Sequence, residues 1–160
     1  MKYRRLTLEE VEDLREDFIY FLAANQITAT DWESLKKGDP EKVESILDLF
    51  SDHVFDNVLR RVEYLEFKSP QDIKTFHCLP GKIRMLGLMV DGESEVDFTR
   101  DQPAQDMLAL LQSSGATLKM YSAEKTYQGS REQELFRMLE QGCLISKEGE
   151  MYKLLDSIAR

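Results

Sequence analysis

The sequence is poor in the side chains on which catalysis and metal binding most often depend. Its 160 residues include only two cysteines, two histidines and one tryptophan. Cys78 and Cys143 lie far apart in the chain, so they do not form the pattern of a disulfide-stabilised domain, and we expect a reducing, cytoplasmic location. No pair of histidines or cysteines has the spacing of zinc ligands, so we expect no metal and no cofactor.

Phosphate-binding loops and long apolar segments are also missing. The glycines form neither a Gly-x-Gly-x-x-Gly motif nor the P-loop motif. The longest apolar run, Met85–Val90, is far shorter than the roughly 20 residues that a helix needs to cross a bilayer. We therefore expect no nucleotide-binding loop of a known type and no membrane contact.

Charge is unevenly distributed along this acidic chain, whose net charge is −9. Residues 1–59 carry 7 basic and 14 acidic side chains, whereas residues 60–90 carry 6 basic and 3 acidic ones. An acidic protein repels a phosphate backbone unless its basic residues are segregated, so nucleic acid is an unfavourable partner. The opposite signs of the two segments predict a charge-steered contact with a protein partner or within a homo-oligomer.

Helix signals dominate the first third of the chain. Thr7 and Glu10 have the spacing of a capping box, and a second box is predicted at Thr30–Glu33 for a short helix that stops at Gly38. Asp39 and Pro40 begin a longer helix, which we expect to extend to about Arg61. Residues 1–62 are therefore predicted to form a helical layer.

Strand signals begin where the helices end. The apolar period changes at 62–67, and Pro80-Gly81 predicts a hairpin between 73–78 and 82–90. Two further segments each contain a helix, a glycine and a strand, with the helices beginning at Pro103 and Ser130. This strand–helix alternation favours a parallel arrangement.

The C-terminal residues 143–155 predict a β-hairpin that turns at Gly149. Together these patterns predict one α/β domain, with α+β as the open alternative, over residues 1–160. The helical layer is expected to pack on the 63–160 part, a small mixed, partly parallel sheet that ends in the hairpin.

A ligand site is predicted from the parallel alternation. Ligands of open parallel sheets bind beyond the carboxyl ends of the strands, where loops 91–95, 122–127 and 146–148 would meet. The side chains that we expect to contact a small polar ligand there are Glu124, Lys125, Tyr127 and Arg131.

Other candidate residues favour structural roles. His77 and Cys78 are adjacent on a predicted strand, so they point to opposite faces and do not form a nucleophile–base pair. The acidic residues of 91–97 lack the spacing of an EF-hand. Tyr20 and Phe55 lie beside the apolar stripes of their helices and are the aromatic residues best placed for an exposed contact.

The last fifty residues allow a winged-helix interpretation as a weaker alternative. The predicted helix after Ser130 would be the recognition helix, and the hairpin at Gly149 would be the wing. This helix carries more acidic than basic residues, which disfavours DNA as its target.

The sequence also resembles a known family. The resemblance rests on Lys2–Leu6, Thr75–Cys78, Leu118–Lys125, Arg131–Phe136 and Leu144–Lys147. These segments are similar to those of an uncharacterised bacterial family that is known only as a domain of unknown function. The resemblance covers essentially the whole chain. It implies a bacterial, cytoplasmic protein and no catalytic residues.

The function that we expect from these observations is a non-enzymatic cytoplasmic interaction or regulatory role. The alternative is a small-ligand-binding or enzymatic α/β domain with its site near 91–95 and 122–131. The two differ in whether a small molecule binds to and stabilises the protein.

Overall fold

A computed structural model describes residues 2–159, and the chain divides into two units, Met1–Arg60 and Arg61–Arg160. The first unit is helical and the second contains the sheet. The prediction that both belong to one domain, with the helical layer packed on the sheet, stays a prediction.

Four helices form the first unit among its described residues. They are α1 (Leu8–Asp13), α2 (Arg15–Ala24), α3 (Ala29–Gly38) and α4 (Pro40–Arg61). The predicted capping box at Thr7 is confirmed, because the Glu10 N–H donates to the Thr7 hydroxyl at 3.2 Å. The box predicted at Thr30 is wrong. Thr28 caps α3 instead, and its hydroxyl accepts from the Asp31 N–H at 3.0 Å. The sequence pattern missed this box because an aspartate replaces the usual glutamate of the motif.

The core of this unit is aromatic. Phe18 and Leu22 from α2 are buried against Ile46 and Phe50 from α4. The ring of Phe18 lies 4.9 Å from that of Phe50. The segment before α1 also packs against α4, since the Leu6 N–H donates to the buried Ser51 hydroxyl at 2.9 Å.

The second unit contains five strands and three helices among the described residues. The strands are β1 (Tyr64–Ser69), β2 (Asp72–Cys78), β3 (Lys82–Asp91), β4 (Thr117–Thr126) and β5 (Leu144–Ser146). The helices are α5 (Ala104–Ser113), α6 (Arg131–Glu140) and α7 (Glu150–Ala159). A mixed α/β structure, the predicted hairpin between β2 and β3, and the predicted helix starts at Pro103 and Ser130 are thereby confirmed.

The sheet has the order β4-β3-β2-β1-β5, and every neighbouring pair is antiparallel. The prediction of a partly parallel sheet is therefore wrong. The strand–helix alternation was misleading because the chain returns after α5 to the end of the sheet that it left, where Asp91 pairs with Thr117.

The predicted C-terminal β-hairpin is also wrong. Gly149 does adopt the left-handed conformation, with φ of 64°, but it precedes α7, and no second strand follows up to residue 159. The N–H of Lys153 donates to the Gly149 carbonyl at 3.0 Å, which begins the helix. Met151 and Leu155 are buried on one side of α7, four residues apart as on a helix face.

The two faces of the sheet are covered differently. One face, here called the α7 face, includes Leu86 and Leu88, which pack with residues of α5 and α7 in the main core cluster. The other, the α6 face, carries Lys125, whose ammonium lies 2.6 Å from Glu134 of α6. Because side chains alternate along a strand, the pairing register assigns each strand residue to one of these faces.

Among residues 2–159, no helix is both long and apolar enough to cross a membrane.

Candidate functional site

The four predicted ligand residues lie close in sequence but do not converge on one pocket. Glu124 and Lys125 are neighbours on β4, so they project from opposite faces of the sheet. Glu124 lies on the α7 face, with its carboxylate 3.3 Å from the Lys82 ammonium. Lys125 lies on the α6 face and pairs with the buried Glu134.

Tyr127 and Arg131 are engaged by backbone carbonyl groups. The Tyr127 hydroxyl donates to the Leu79 carbonyl at 2.6 Å, and burial raises its pKa to about 12. The Arg131 guanidinium donates to the carbonyls of Val62 and Cys78. These contacts attach the start of α6 to the ends of β1 and β2. Ligand binding by the four residues stays a prediction.

The loops that were expected to meet at one sheet edge are separated by the antiparallel topology. Residues 122–126 belong to β4 itself, and 91–95 follow β3 at the end where β4 begins. Residues 146–148 start at the last residue of β5, at the other side of the sheet. The rule for parallel sheets therefore does not place a site here.

The most exposed element of the sheet is its edge strand β4. All ten residues of β4 pair with β3, from Thr117 opposite Asp91 to Thr126 opposite Lys82. Every residue of β4 except Tyr121 is exposed, and no other described strand pairs with its outer side. A strand in this position presents a row of backbone N–H and C=O groups to any chain that lies beside it.

Tyr121 fixes β4 to the body of the sheet. Its ring lies over Gly87 on β3, where an added Cβ would be 2.1 Å from the ring. Its hydroxyl donates to the Asp72 carboxylate on β2, which also accepts from Lys74 at 2.9 Å. Burial, followed by the hydrogen bond to Asp72, raises the pKa of Tyr121 to about 12. The phenol is therefore a structural donor at neutral pH.

A groove lies on the α7 face, between the strands and α7. Its volume is about 390 Å³. It is lined by Tyr64, His77, Leu79, Lys82, Arg84, Glu124, Tyr152, Lys153 and Asp156. Glu124 is the one predicted ligand residue among them.

Aromatic rings form one wall of this groove. The ring of His77 stacks on that of Tyr64, with centroids 4.7 Å apart and an interplanar angle of 16°. Tyr152 of α7 lies 5.3 Å from the same imidazole. Burial lowers the pKa of His77, against the raising effect of Glu63, and the nearby Arg84 lowers it further. The imidazole is therefore neutral at neutral pH.

Charged residues form the rest of the groove. Arg84 lies 3.5 Å from Asp156, and the Lys153 ammonium lies 5.6 Å from the centroid of the Tyr64 ring. With Lys82 and Glu124, three cations face two carboxylates, which leaves the groove with a formal charge of +1.

The described part of the chain contains no cluster of potential metal ligands. Within residues 2–159, no three His, Cys, Asp or Glu side chains are grouped closely enough to hold a metal ion. In the acidic segment, the Asp97 carboxylate accepts from the Thr99 N–H at 2.9 Å, and Asp91 lies 3.5 Å from Lys119.

His77 and Cys78 occupy the positions expected from the sequence. Cys78 is buried on the α6 face, and burial raises its pKa to about 12. The half-buried His77 projects from the α7 face, so the two side chains form no catalytic pair.

Sequence reasoning missed the α7 residues of the groove, since 151–155 were interpreted as a strand. One signal was present. Met151, Leu155 and Ile158 recur at spacings of four and three residues, which is typical of a helix face. Gly87 gave no signal, because its role depends on the neighbouring strand.

Comparisons with known proteins identify a family but no described relative. No curated protein and no solved structure matches this chain. One family model matches residues 1–160, and its description is a family of unknown function, DUF6495. This agrees with the resemblance seen in the sequence. The chain therefore belongs to the family of unknown function DUF6495.

Proposed function

We propose that this chain is a non-enzymatic interaction protein that associates through the edge strand β4. One observation carries the proposal. β4 is ten residues long, is exposed along almost its whole length, and has no strand on its outer side in the described structure. Long exposed edges readily pair with another chain, and natural proteins usually shorten or cover them. Leaving one open is understandable when the edge is used for binding.

A second copy of the same chain is the occupant that β4 fits best. Two antiparallel β4 strands related by a twofold axis at Met120 would place Leu118 opposite Ser122 and Lys119 opposite Tyr121. No two like charges are then directly opposed. Leu118 and Met120 are 41% and 37% exposed on the α7 face. Pairing would cover both side chains and extend the apolar row of that face.

The charge-steered contact expected from the sequence receives less support. Four of the six basic residues in 60–90 already lie within 4.0 Å of carboxylates of the second unit. The pairs are Lys68–Glu66, Lys74–Asp72, Lys82–Glu124 and Arg84–Asp156. Most of this positive charge is therefore already compensated locally, and backbone pairing at β4 explains an interaction without it.

The test is the effect of Met120→Lys on self-association. The substitution places two ammonium groups opposite each other across the proposed twofold axis, so we expect the dimer to weaken by about tenfold or more. Sedimentation equilibrium over a range of protein concentrations measures the change. Circular dichroism checks that the variant is folded, and Leu118→Lys serves as a second variant.

Leu144→Lys is the matched control. Leu144 is 56% exposed on β5, the other edge strand of the sheet, and receives the same change of charge. This variant should dimerise like the wild type. A wild-type protein that stays monomeric, or a Met120→Lys protein that dimerises as well as wild type, would contradict the proposal.

The cellular setting is proposed on sequence grounds. Cys78 and Cys143 are both free and buried, which fits the reducing cytoplasm that we propose as the location. We likewise propose that the protein is bacterial and that nucleic acid is not its partner. The winged-helix alternative loses its wing, because the residues expected to form that strand are helical in α7.

A further inference from the structure

The groove on the α7 face contains a cation that the protein itself does not neutralise. Lys82 has Glu124 as its partner, and Arg84 has Asp156. Lys153 forms no ion pair with any residue of the described chain. Its ammonium lies beside the Tyr64 ring at the wall of the groove. This unpaired cation makes the groove attractive to an anion.

His77 adds an unused hydrogen-bonding group to the same groove. Its ring is half-buried between Tyr64 and Tyr152, and neither ring nitrogen forms a hydrogen bond within residues 2–159. The neutral imidazole still has one N–H to donate.

Two further features, the position of Arg84 and the volume, suit the groove to a small organic anion. Arg84 lies on β3 directly opposite His77 on β2, so both side chains project into the groove from adjacent strands. The guanidinium is planar and forked, a geometry that matches carboxylate and phosphate oxygens. The volume of about 390 Å³ lies within the usual range of small-molecule sites.

We propose that this groove binds the oxyanion group, phosphoryl or carboxylate, of a small molecule, through Lys153, Arg84 and His77. The ammonium and guanidinium supply charge, and the imidazole donates one hydrogen bond. The buried Tyr64 and Tyr152 rings form the wall behind the imidazole. The site shares Glu124 with β4, but its three anion-binding residues lie on β2, β3 and α7 and are not used by the proposed interaction.

The experiment follows the histidine Cε1–H signals by NMR while sodium phosphate or sodium acetate is added at constant ionic strength. The signals are assigned with His53→Gln, since His53 does not line the groove. We expect a saturable shift of the His77 signal alone. Because the bound anion favours the charged imidazole, the pKa of His77 should rise on binding.

Lys153→Gln is the informative variant, because it removes the unpaired cation without leaving a carboxylate unpaired. We expect it to weaken binding about tenfold, the usual size of one lost charge-assisted contact. Lys147→Gln is the matched control, since Lys147 is exposed, forms no ion pair with the described residues and lies outside the groove. It should bind like wild type.

The two anions distinguish the two ligand classes. Tighter binding of phosphate assigns the groove to phosphorylated molecules, and tighter binding of acetate assigns it to carboxylates. The proposal is overturned if neither anion gives a saturable shift, if His53 shifts as much as His77, or if Lys153→Gln binds as well as Lys147→Gln.

Discussion

The two edge strands of the sheet differ in how much they expose to a partner. β5 has three residues and pairs with β1 only from Tyr64 to Glu66, whereas β4 has ten residues and pairs with β3 along its full length. A short edge offers few backbone groups to another chain, and a long edge offers many. β5 therefore resembles a protected edge, and β4 resembles a binding edge.

The strands also differ in how they are fixed. β4 is held on one face by Tyr121 over Gly87 and by Lys125 beside Glu134. β5 is short and is followed at once by the turn into α7, where Gly149 lies against the Tyr64 ring. An edge strand that is held from its inner side keeps its outer backbone groups in place, which favours pairing because little ordering remains to be done.

Gly87→Ala should have the largest effect on this comparison. The new Cβ would lie 2.1 Å from the Tyr121 ring, and the ring cannot move away without losing its hydrogen bond to Asp72. We expect the free energy of unfolding to fall by about 1–3 kcal/mol, as for other overpacked sites. Urea denaturation measures the change.

Gly81→Ala is the matched control for this prediction. Gly81 lies in the turn between β2 and β3, and an added Cβ would meet nothing within 4 Å. Its stability should change by no more than about 0.5 kcal/mol, as at other unconstrained surface positions. Equal stability of the two alanine variants would show that Tyr121 does not anchor β4 through Gly87.

Glu134→Gln should have a somewhat smaller, pH-dependent effect on the second anchor. Burial alone would raise the pKa of Glu134, but the hydrogen bonds from Lys125 and from the Gln128 N–H lower it below its usual value. Replacing the buried carboxylate should lower the free energy of unfolding by about 1–2 kcal/mol at pH 7.

The sign of the pH dependence follows from the lowered pKa. The stabilisation is fully present above the ordinary pKa of a glutamate, 4.5, and is lost as the pH falls through the folded-state value. The difference between wild type and Glu134→Gln should therefore shrink in acid. Glu148→Gln, at an exposed residue without an ion pair in the described structure, should show little effect at any pH. A difference that stays constant with pH would exclude the carboxylate as the cause.

Local signals in the sequence predicted most of the helices and the β2–β3 hairpin. The cap at Thr7, the start of α4 at Pro40 and the cap at Ser130 all depend on residues within one helical turn. Strand direction could not be read in this way, since it depends on where the chain re-enters the sheet.

The candidate sites were harder to predict because they depend on pairing between strands. Residues 122–126 lack an apolar period, since β4 is exposed on both sides and has no face to bury. The sequence therefore indicated a loop there. The groove brings together β2, β3 and α7, and the last of these was expected to be a strand. Of the residues that line the groove, only Glu124 was predicted from the sequence as a ligand contact.

Amide hydrogen exchange at low and high protein concentration tests the central difference between the two edges most directly. The proposed pairing predicts that outward-facing amides of β4 become protected as concentration rises, while those of β5 do not change. The same protection should be absent from Met120→Lys. Protection that is independent of concentration at β4, or that appears at β5 instead, would contradict the assignment of β4 as the binding edge.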